Sequence, residues 1–370
     1  MVDIDTDQQV DGIGALPQKW SVENVRFSAD GASVVILDQT LLPGETKYLK
    51  LNKAQDLHEA IVDMRVRGAP AIGIFAAFAM CVIAGQSKAK DYIEFKADVM
   101  KCGDYLNSAR PTAVNLSRQI RRMEKHVASM EGLPIYRIIE SMRCEAEEIQ
   151  REDIEMCLAI SKYGLTLLHS GDGVLTQCNA GPLATSLYGT ALGPILLARE
   201  RGVDLNVFCC ETRPLLQGAR LTTYELDTAG IGCTLICDNM ASIVMSEGKI
   251  DAVFTGCDRV ARNGDVANKV GTSGLAILAK HYGVKFYVFC PSSTIDPGSA
   301  TGDNIEIEQR EPEEIKEMFF KSPIAPSRVK CYNPAFDVTD NRLITAIITD
   351  KGICEPPYYE SLTKFWHPSE

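Results

Sequence analysis

Hydrophobic positions in the first half of the chain recur mostly with helical spacing. Two short β-type runs, Val34–Leu37 and Thr46–Leu51, flank a Pro-Gly turn. Beyond residue 52, apolar residues three and four positions apart predict helices. One of them, over 69–85, is apolar along its whole length, and residues 136–168 form one long charged helix or two in succession. The pattern therefore predicts a mainly helical N-terminal domain with a small β-element.

From Gly171 onward the pattern changes to short apolar runs. Six of them predict strands: Val174–Thr176, Val207–Cys210, Thr234–Cys237, Ala252–Thr255, Phe286–Phe289 and Leu343–Ile348. Most are separated by about 20–30 residues with helical character, which is typical of a parallel sheet built from βαβ units. The gap over 291–342, rich in Pro and Glu, is expected to be an extended loop with a short helix. We predict an α/β protein with a helical domain over 19–170 and a parallel-sheet domain over 171–370.

Polar and ionisable residues follow the ends of four of these strands. In a parallel sheet, ligands bind beyond the carboxyl ends of the strands. A merely structural loop would need only turn-forming residues there, so the concentration of reactive groups predicts a functional site. The four segments are Gln177-Cys178-Asn179-Ala180-Gly181, Glu211-Thr212-Arg213-Pro214, Asp238-Asn239-Met240 and Gly256-Cys257-Asp258-Arg259.

Cys178 is the candidate reactive thiol. A helix is predicted over Leu183–Ala198 with Pro182 at its start, which would place Cys178 near a helix N-terminus. The positive end of a helix dipole lowers the pKa of a thiol and raises its reactivity. The alternative is an inert buried thiol, which we expect for most of the cysteines.

Asp258 is the candidate acid. A carboxyl group at a strand end among apolar neighbours can keep its proton near neutral pH and act as a general acid. The alternative is an aspartate that caps a helix or pairs with Arg259 or Arg262. The residues alone leave the two alternatives open.

Basic residues stand at three predicted helix starts. Arg67-Gly68-Ala69-Pro70 precedes the apolar helix, Arg110-Pro111-Thr112 opens another, and Asn268-Lys269 precedes Gly271-Thr272. Free backbone N–H groups at a helix start bind anions, and an adjacent arginine adds a bidentate partner. Ordinary capping explains any one of them, but three together favour a ligand of the phosphate type.

Composition excludes several other classes of protein. The 370 residues carry a net charge of -11, which argues against a nucleic-acid partner. The thirteen cysteines contain no CxxC pair and suit a reducing compartment. The N-terminus lacks the basic and apolar regions of a signal peptide, and its acidic extension over 1–18 is expected to be disordered. We therefore expect a cytoplasmic protein that does not enter membranes.

Cofactor-binding motifs are also missing from the sequence. The dinucleotide fingerprint and the Walker sequence are absent. The five histidines are scattered at no spacing that suits a metal. We expect neither a cofactor nor a metal ion to take part.

An ordered set of motifs resembles the 5-methylthioribose-1-phosphate isomerases of methionine salvage. This family is related to the alpha, beta and delta regulatory subunits of a translation initiation exchange factor. The resemblance extends from about Arg26 to Gly352. Its motifs are Arg67–Gly73, Arg110–Leu116, Cys178–Gly181, Glu211–Pro214, Gln217–Leu221, Asp238–Ala241, Asn263–Asp265, Asn268–Gly271 and Asn333–Val338.

The resemblance implies a Rossmann-like C-terminal domain, a homodimer, and a location in the cytoplasm, with the nucleus as an additional location. It implies that Asp258 is the proton donor and that Cys178 is the second catalytic residue. The substrate would be held by Arg67, Gly68, Ala69, Arg110, Gln217, Asn268 and Lys269. Two positions depart from the family pattern: Gln177 replaces a His or Tyr, and Cys257 replaces an Ala, which could alter the tuning of the neighbouring Cys178 and Asp258.

The implied reaction explains why an acid and a thiol are needed. The anomeric oxygen of the substrate carries phosphate, so the ring cannot open by simple loss of a hydroxyl proton. Our hypothesis is that protonated Asp258 donates to the ring oxygen as the bond from C1 breaks. Either Cys178 then removes a proton from C2, or a hydride moves from C2 to C1 while Cys178 stabilises charge. The alternatives are a ribose-1,5-bisphosphate isomerase and a non-catalytic regulatory subunit of the exchange factor.

Overall fold

The structure is a computed structural model that describes residues 22–111 and 113–365, so the expectation for 1–18 lies outside the described residues. The chain begins with three antiparallel strands: β1 (Val25–Phe27), β2 (Val34–Leu37) and β3 (Tyr48–Leu51). The second strand lies between the other two. The two predicted strands are confirmed. The first was missed because three residues are too few to produce a periodic pattern.

Five helices follow this sheet: α1 (Ala54–Val62), α2 (Ala69–Ala84), α3 (Tyr92–Ser108), α4 (Val114–Ala128) and α5 (Ile135–Leu165). Helix α2 is apolar on every side because it is the centre of the N-terminal core, packed against α3, α4 and α5. Its Phe78 ring stacks on Phe27 of β1 with ring centroids 4.2 Å apart. The charged segment over 136–168 is one continuous helix, α5.

The second half of the chain contains the predicted parallel sheet. Its seven strands are β4 (Gly173–Thr176), β5 (Asn206–Cys210), β6 (Cys233–Ile236), β7 (Ala252–Thr255), β10 (Lys285–Phe289), β13 (Ala346–Thr349) and β14 (Gly352–Cys354). Their order is β14-β13-β10-β7-β4-β5-β6, with only β14 antiparallel. The six parallel strands follow the doubly wound order, in which the chain reverses direction beside the first strand. The α/β fold is therefore confirmed.

Helices cover both faces of this sheet. They are α6 (Gly193–Glu200), α7 (Thr223–Thr228), α8 (Ala241–Ser246), α9 (Thr272–Tyr282) and α11 (Tyr358–Thr363). The C-terminal half of α5 packs beside α6, so the long helix contributes to both halves of the molecule. The predicted domain boundary near residue 170 falls between α5 and β4 and stays a prediction. Within the described residues, no helix combines the length and the apolar character needed to span a membrane.

The predicted helix over Leu183–Ala198 is wrong over most of its length. Residues Pro182–Ala184 form a single 3-10 turn, and α6 begins only at Gly193. Between them the chain turns back on itself, and the Thr190 amide donates to the Ala180 carbonyl rather than to a residue four positions earlier. A Cβ at Gly189 would lie 2.3 Å from the Gly181 Cα, so this close approach depends on two glycines.

The C-terminal half also contains a four-stranded sheet, which was not predicted. It joins β11 (Ile295–Asp296), β8 (Arg259–Ala261), β9 (Val266–Lys269) and β12 (Phe336–Thr339) in that order. The segment over 291–342 is therefore not only a loop, although its short helix α10 (Glu313–Lys316) is present as expected. Strands β11 and β12 pair with residues distant in sequence, and such pairing leaves no local pattern. Strands β8 and β9 pair with each other, but they have only three and four residues.

We predict that Gly164→Ala destabilises the protein by about 1–3 kcal/mol, because overpacking a filled interface is costly. A Cβ at Gly164 of α5 would lie 2.2 Å from Pro194 Cγ and 2.7 Å from the Phe289 ring. Urea denaturation of both proteins measures the difference.

The matched control is Gly274→Ala in α9, where the added Cβ meets open space. This substitution should stabilise the protein by about 0.5–1 kcal/mol, since alanine is the better helix former. Equal effects of the two substitutions would contradict the packing described for α5.

Candidate active site

One cavity of about 340 Å³ lies beyond the carboxyl ends of β4 and β7. The chain reverses direction between these two strands, which is where open α/β sheets bind their ligands. All nine predicted site residues line this cavity: Arg67, Gly68, Ala69, Arg110, Cys178, Gln217, Asp258, Asn268 and Lys269. Residues from both halves of the chain thus meet at a single site.

Cys178 follows β4 and does not stand at a helix start. Its backbone has a φ of 62°, a left-handed conformation that costs a non-glycine residue about 1 kcal/mol. Two threonines hold it there: the Cys178 amide donates to Thr212 Oγ1 at 2.8 Å, and Thr222 Oγ1 donates to the Cys178 carbonyl at 2.6 Å. The expected helix dipole is therefore absent, since the next residues form only the 3-10 turn.

The pKa of the Cys178 thiol is raised rather than lowered. Burial is the largest cause, because it penalises the thiolate, whereas the positive charges of Lys269 and Arg67 oppose it. The thiol is accessible only through the cavity. A protonated thiol is therefore the form that this environment favours.

Asp258 lies between β7 and β8 and caps no helix. Its backbone amide donates to the Ala267 carbonyl at 3.0 Å. Arg259, one alternative partner, instead approaches Asp296 at 3.7 Å, and Arg262 lies over the Tyr359 ring. The two arginines considered as partners thus point elsewhere.

The Asp258 side chain lines the cavity and is exposed to water there. The cavity itself is enclosed by protein on its other sides, so Asp258 has many protein atoms around it. Burial raises its pKa, and the cations Lys269, Arg67 and Arg110 reduce that increase. A shift in this direction favours the protonated carboxyl group, which is the form from which a general acid donates.

Lys269 is the cation that links the two candidate reacting groups. Burial lowers its pKa, while the neighbouring Cys178 and Asp258 raise it. Its Nζ donates to the Ala335 carbonyl at 3.0 Å and lies 4.8 Å from the centre of the Phe336 ring. The ammonium group is therefore fixed in the wall of the cavity.

The three predicted helix starts with basic residues differ in whether their backbone amides are free to bind a ligand. The first amides of α2 and α4 receive no side-chain cap, and Arg67 and Arg110 stand just before them. At α9 the backbone amides of Gly271 and Ser273 already donate to the Asp337 carboxylate, at 2.7 and 3.1 Å. The prediction that the third helix start offers free amides is therefore wrong.

Two glutamines and one asparagine add polar groups to the cavity wall. The side-chain oxygens of Gln217 and Gln177 have no hydrogen-bond partner among the described residues. A buried acceptor without a partner is costly, so these amides suit a ligand that carries hydroxyl groups. Asn268 donates to Thr272 Oγ1 at 3.0 Å and is thereby held at the end of β9.

Sequence reasoning missed Glu308 and Arg310, which enter the cavity from the segment over 291–342. Glu308 approaches Arg110 at 3.4 Å and Arg310 at 3.0 Å. In the sequence, Glu308 and Arg310 stand in alternation with the apolar Ile305 and Ile307, which could have indicated an ordered segment. The composition around them instead indicates an irregular loop. Arg310 adds a further cation to the site.

Metal ligands are not grouped in the described part of the chain. No cluster of three or more His, Cys, Asp or Glu side chains occurs within residues 22–111 and 113–365. The cavity instead combines Arg67, Arg110, Lys269 and Arg310 with the carboxyl group of Asp258, whose pKa the first three of these cations influence. Cations beside a carboxyl group of raised pKa are typical of enzymes that bind an anionic substrate and transfer a proton.

Comparison with known proteins shows the family to which the chain belongs. The chain belongs to the Initiation factor 2 subunit family, whose model matches residues 65–356. Over 349 residues it is 55% identical to the methylthioribose-1-phosphate isomerase of Symbiobacterium thermophilum, covering 94% of this chain and 97% of the relative. Over 333 residues it is 55% identical to the 5-deoxyribose 1-phosphate isomerase of Petrotoga mobilis, covering 90% and 96%.

A solved structure agrees with these relatives. The crystal structure of the 5-methylthioribose 1-phosphate isomerase of Pyrococcus horikoshii superimposes with a TM-score of 0.88 at 41% identity, covering 93% of this chain and 95% of that one. The similarity to proteins named as isomerases spans nearly the whole chain. Within its family, the protein is therefore an isomerase that acts on a sugar phosphate.

We predict that Lys269→Met slows the alkylation of Cys178 by iodoacetamide about tenfold at pH 8. Removing the cation removes the largest influence that lowers the pKa of the thiol, so the thiolate fraction falls. Mass spectrometry of the Cys178 peptide against time measures the rate.

Lys269→Arg, which keeps the charge, is the matched variant and should react at nearly the original rate. The exposed Cys237 provides an internal reference in every sample. Alkylation of Cys178 that is unchanged or faster in Lys269→Met would contradict the electrostatic account.

Proposed function

We propose that this isomerase converts 5-methylthioribose 1-phosphate to 5-methylthioribulose 1-phosphate, an aldose–ketose step of methionine salvage. The observation that carries the proposal is the position of Cys178 and Asp258. They follow adjacent strands and face one cavity together with the cations Arg67, Arg110 and Lys269. Nothing in this arrangement requires a cofactor.

The substrate phosphate would be held by Arg67, Arg110 and Lys269. The uncapped start of α2, at Gly68 and Ala69, adds backbone amides. Gly68 has a φ of 97°, and a Cβ there would lie 2.5 Å from the Ala184 Cα, so only glycine permits this approach. Gln217 and Asn268 would bind the sugar hydroxyl groups.

Asp258 would open the ring. Its proton passes to the ring oxygen as the bond between that oxygen and C1 breaks, leaving an open chain with a hydroxyl group at C4. The raised pKa of Asp258 supports this role because the acid must be protonated near neutral pH. The positive charge that develops at C1 is shared with the phosphate-bearing oxygen.

Cys178 would act in the second step, for which two routes remain. In one, its thiolate removes the proton on C2 to give an enol, and C1 is then protonated as the C2 hydroxyl group loses its proton. In the other, a hydride moves from C2 to C1 while the C2 hydroxyl loses its proton, and Cys178 only stabilises charge. Solvent deuterium at C1 of the product is the mark of the first route. The raised pKa of Cys178 favours a neutral thiol before substrate binds.

The substituent at C5 decides the exact substrate. Met64, Ile72, Leu215 and Ile307 give the cavity an apolar part, which suits a methylthio group better than a second phosphate. A 5-deoxyribose substrate is the second candidate, because a relative of the same identity is named for it. Ribose 1,5-bisphosphate fits less well because it carries a second phosphate at C5. A purely regulatory role fits less well because the reacting pair is retained.

We expect purified protein to form the ketose from 5-methylthioribose 1-phosphate with a kcat/KM at least tenfold above that for ribose 1,5-bisphosphate, because burying an unpaired charge is costly. Parallel assays with 5-deoxyribose 1-phosphate rank the two apolar substrates.

Cys178→Ser and Asp258→Asn should each lower kcat about 100-fold or more while leaving a folded protein.

Cys257→Ser is the matched control, since this thiol lines the same cavity beside Asp258 but has no assigned role. It should retain most of the activity. Near-normal turnover in Cys178→Ser or Asp258→Asn would overturn the assignment of the reacting pair. Absence of turnover with all three sugars in the unaltered protein would overturn the proposed function.

The proposal includes a homodimer formed through the β6 edge of the large sheet. β6 is an edge strand, and its Leu235 is half-exposed. Met240 and Ile243 of the adjoining segment are exposed as well. An edge strand beside apolar side chains suits an isologous interface with a second copy.

The location in the cytoplasm, with the nucleus as an additional location, stays a prediction.

We expect light scattering to give twice the mass of one chain, and Leu235→Arg with Ile243→Arg to shift the protein toward a monomer. Burying two unpaired guanidinium groups at an interface is costly, so the monomer is favoured. Ile93→Arg, at a more exposed apolar residue of α3, is the control and should leave the mass unchanged. A doubly substituted protein that keeps the dimer mass would place the interface elsewhere.

A further inference from the structure

Glu225 of α7 is a buried carboxylate directly behind the Cys178 loop, with only 2% of its surface exposed. Oε1 accepts a hydrogen bond from the Leu183 backbone amide at 2.5 Å, and Oε2 accepts one from Asn179 Nδ2 at 2.5 Å. Burial raises the pKa of Glu225 to about 7, and these two donors together with Arg67 oppose that increase. Glu225 does not line the cavity, so it would act only through its neighbours.

Asn179 connects Glu225 to the site. Its side-chain Oδ1 accepts from Arg67 Nη1 at 2.9 Å, and its backbone carbonyl accepts from Arg67 Nη2 at 3.2 Å. Its Nδ2 also donates to Thr222 Oγ1 at 3.2 Å, and Thr222 in turn donates to the Cys178 carbonyl. The buried Asn179 amide thus contacts Arg67 directly and is connected to Cys178 through Thr222.

The two ends of this amide cannot be exchanged. Both Glu225 oxygens accept hydrogen bonds from N–H groups here, and a guanidinium only donates them. With Glu225 on one side and Arg67 on the other, only one orientation places the amide nitrogen on the carboxylate and the amide oxygen on the guanidinium. The reverse orientation would bring two acceptors together at one end and two donors together at the other.

We propose that Glu225 is a positioning residue that fixes the orientation of the Asn179 amide, so that its oxygen holds the Arg67 guanidinium in place to bind the substrate phosphate. The inference rests on the proposed function, in which Arg67 is a phosphate ligand. Arg67 is the charged group that faces Glu225 across the amide. The carboxylate therefore sets the geometry of a binding residue that it does not touch.

Glu225→Gln tests the inference because it keeps the shape and changes one acceptor into a donor. Its oxygen can still accept from Leu183, which leaves its nitrogen facing Asn179. The Asn179 amide must then turn, and its nitrogen opposes the Arg67 guanidinium. We expect the KM for the sugar phosphate and the Kd for inorganic phosphate to rise about 10- to 100-fold, the range for losing a charged hydrogen bond. kcat should change less than about threefold.

Asn179→Asp combined with Glu225→Gln is the rescue variant. The exchanged pair restores a donor at 225 facing an acceptor at 179, and the aspartate still offers an oxygen to Arg67. Asn179→Asp alone places two carboxylates against each other and should weaken phosphate binding. The double variant should recover the Kd for phosphate to within about fivefold of the unaltered protein, because its hydrogen-bond donors and acceptors again match.

Thr222→Val separates this role from simple support of the loop. It removes another partner of Asn179 and the contact with Cys178 but leaves the contacts between Glu225, Asn179 and Arg67 intact. It should lower kcat and leave the Kd for inorganic phosphate within about twofold of the original value. Thermal unfolding of each variant identifies any that do not fold.

Three results would overturn the inference. They are unchanged phosphate affinity in folded Glu225→Gln, a double variant no better than its single parents, and an equal loss of phosphate affinity in Thr222→Val. If Glu225→Gln does not fold, a folded double variant with weak phosphate binding also counts against it. The phosphate titration needs no turnover, so it separates failure of this inference from failure of the proposed reaction.

Discussion

The competition between burial and positive charge in the cavity sets the chemistry of this protein. Burial raises the pKa of Asp258 and of Cys178, because a low-dielectric surrounding penalises the charged form of each. Lys269 and Arg67 act against burial at both groups, and burial lowers the pKa of Lys269 itself. Without the cations the pKa of both groups would be higher, and without burial it would be lower. The same cations that adjust the reacting pair are those available to a phosphate.

This balance depends on residues brought together from distant parts of the chain. Arg67 and Arg110 precede helices of the N-terminal half, whereas Cys178, Asp258 and Lys269 follow or end strands of the C-terminal half. The strand order explains the central pair, since β4 and β7 are neighbours on either side of the point where the chain reverses. The site is therefore a consequence of topology as much as of motif. Substituting any one element would shift the pKa of more than one group.

Much of the fold was predictable because its signals are local. The strands of the large sheet are short apolar runs, and polar residues follow them at the edge where ligands bind, so position alone made Cys178 and Asp258 candidates. The four-stranded sheet could not, because its strands are short and β11 and β12 pair with residues distant in sequence. The helix expected after Pro182 failed because Gly181 and Gly189 permit a tight backbone contact that competes with helix formation. Asp337 at the start of α9 was unpredictable for the same reason of distance.

The corrected structure around Cys178 changes how its reactivity should be explained. A helix dipole would have activated the thiol through the backbone, but the backbone here is instead held in a left-handed conformation by Thr212 and Thr222. Such a conformation persists only where its surroundings over-determine it. Thr222 also contacts Asn179, which accepts hydrogen bonds from Arg67, so the strained loop and the arginine proposed to bind phosphate share one buried support. Precise placement of Cys178 and Arg67 relative to each other, rather than activation of the thiol alone, is the property that this arrangement secures.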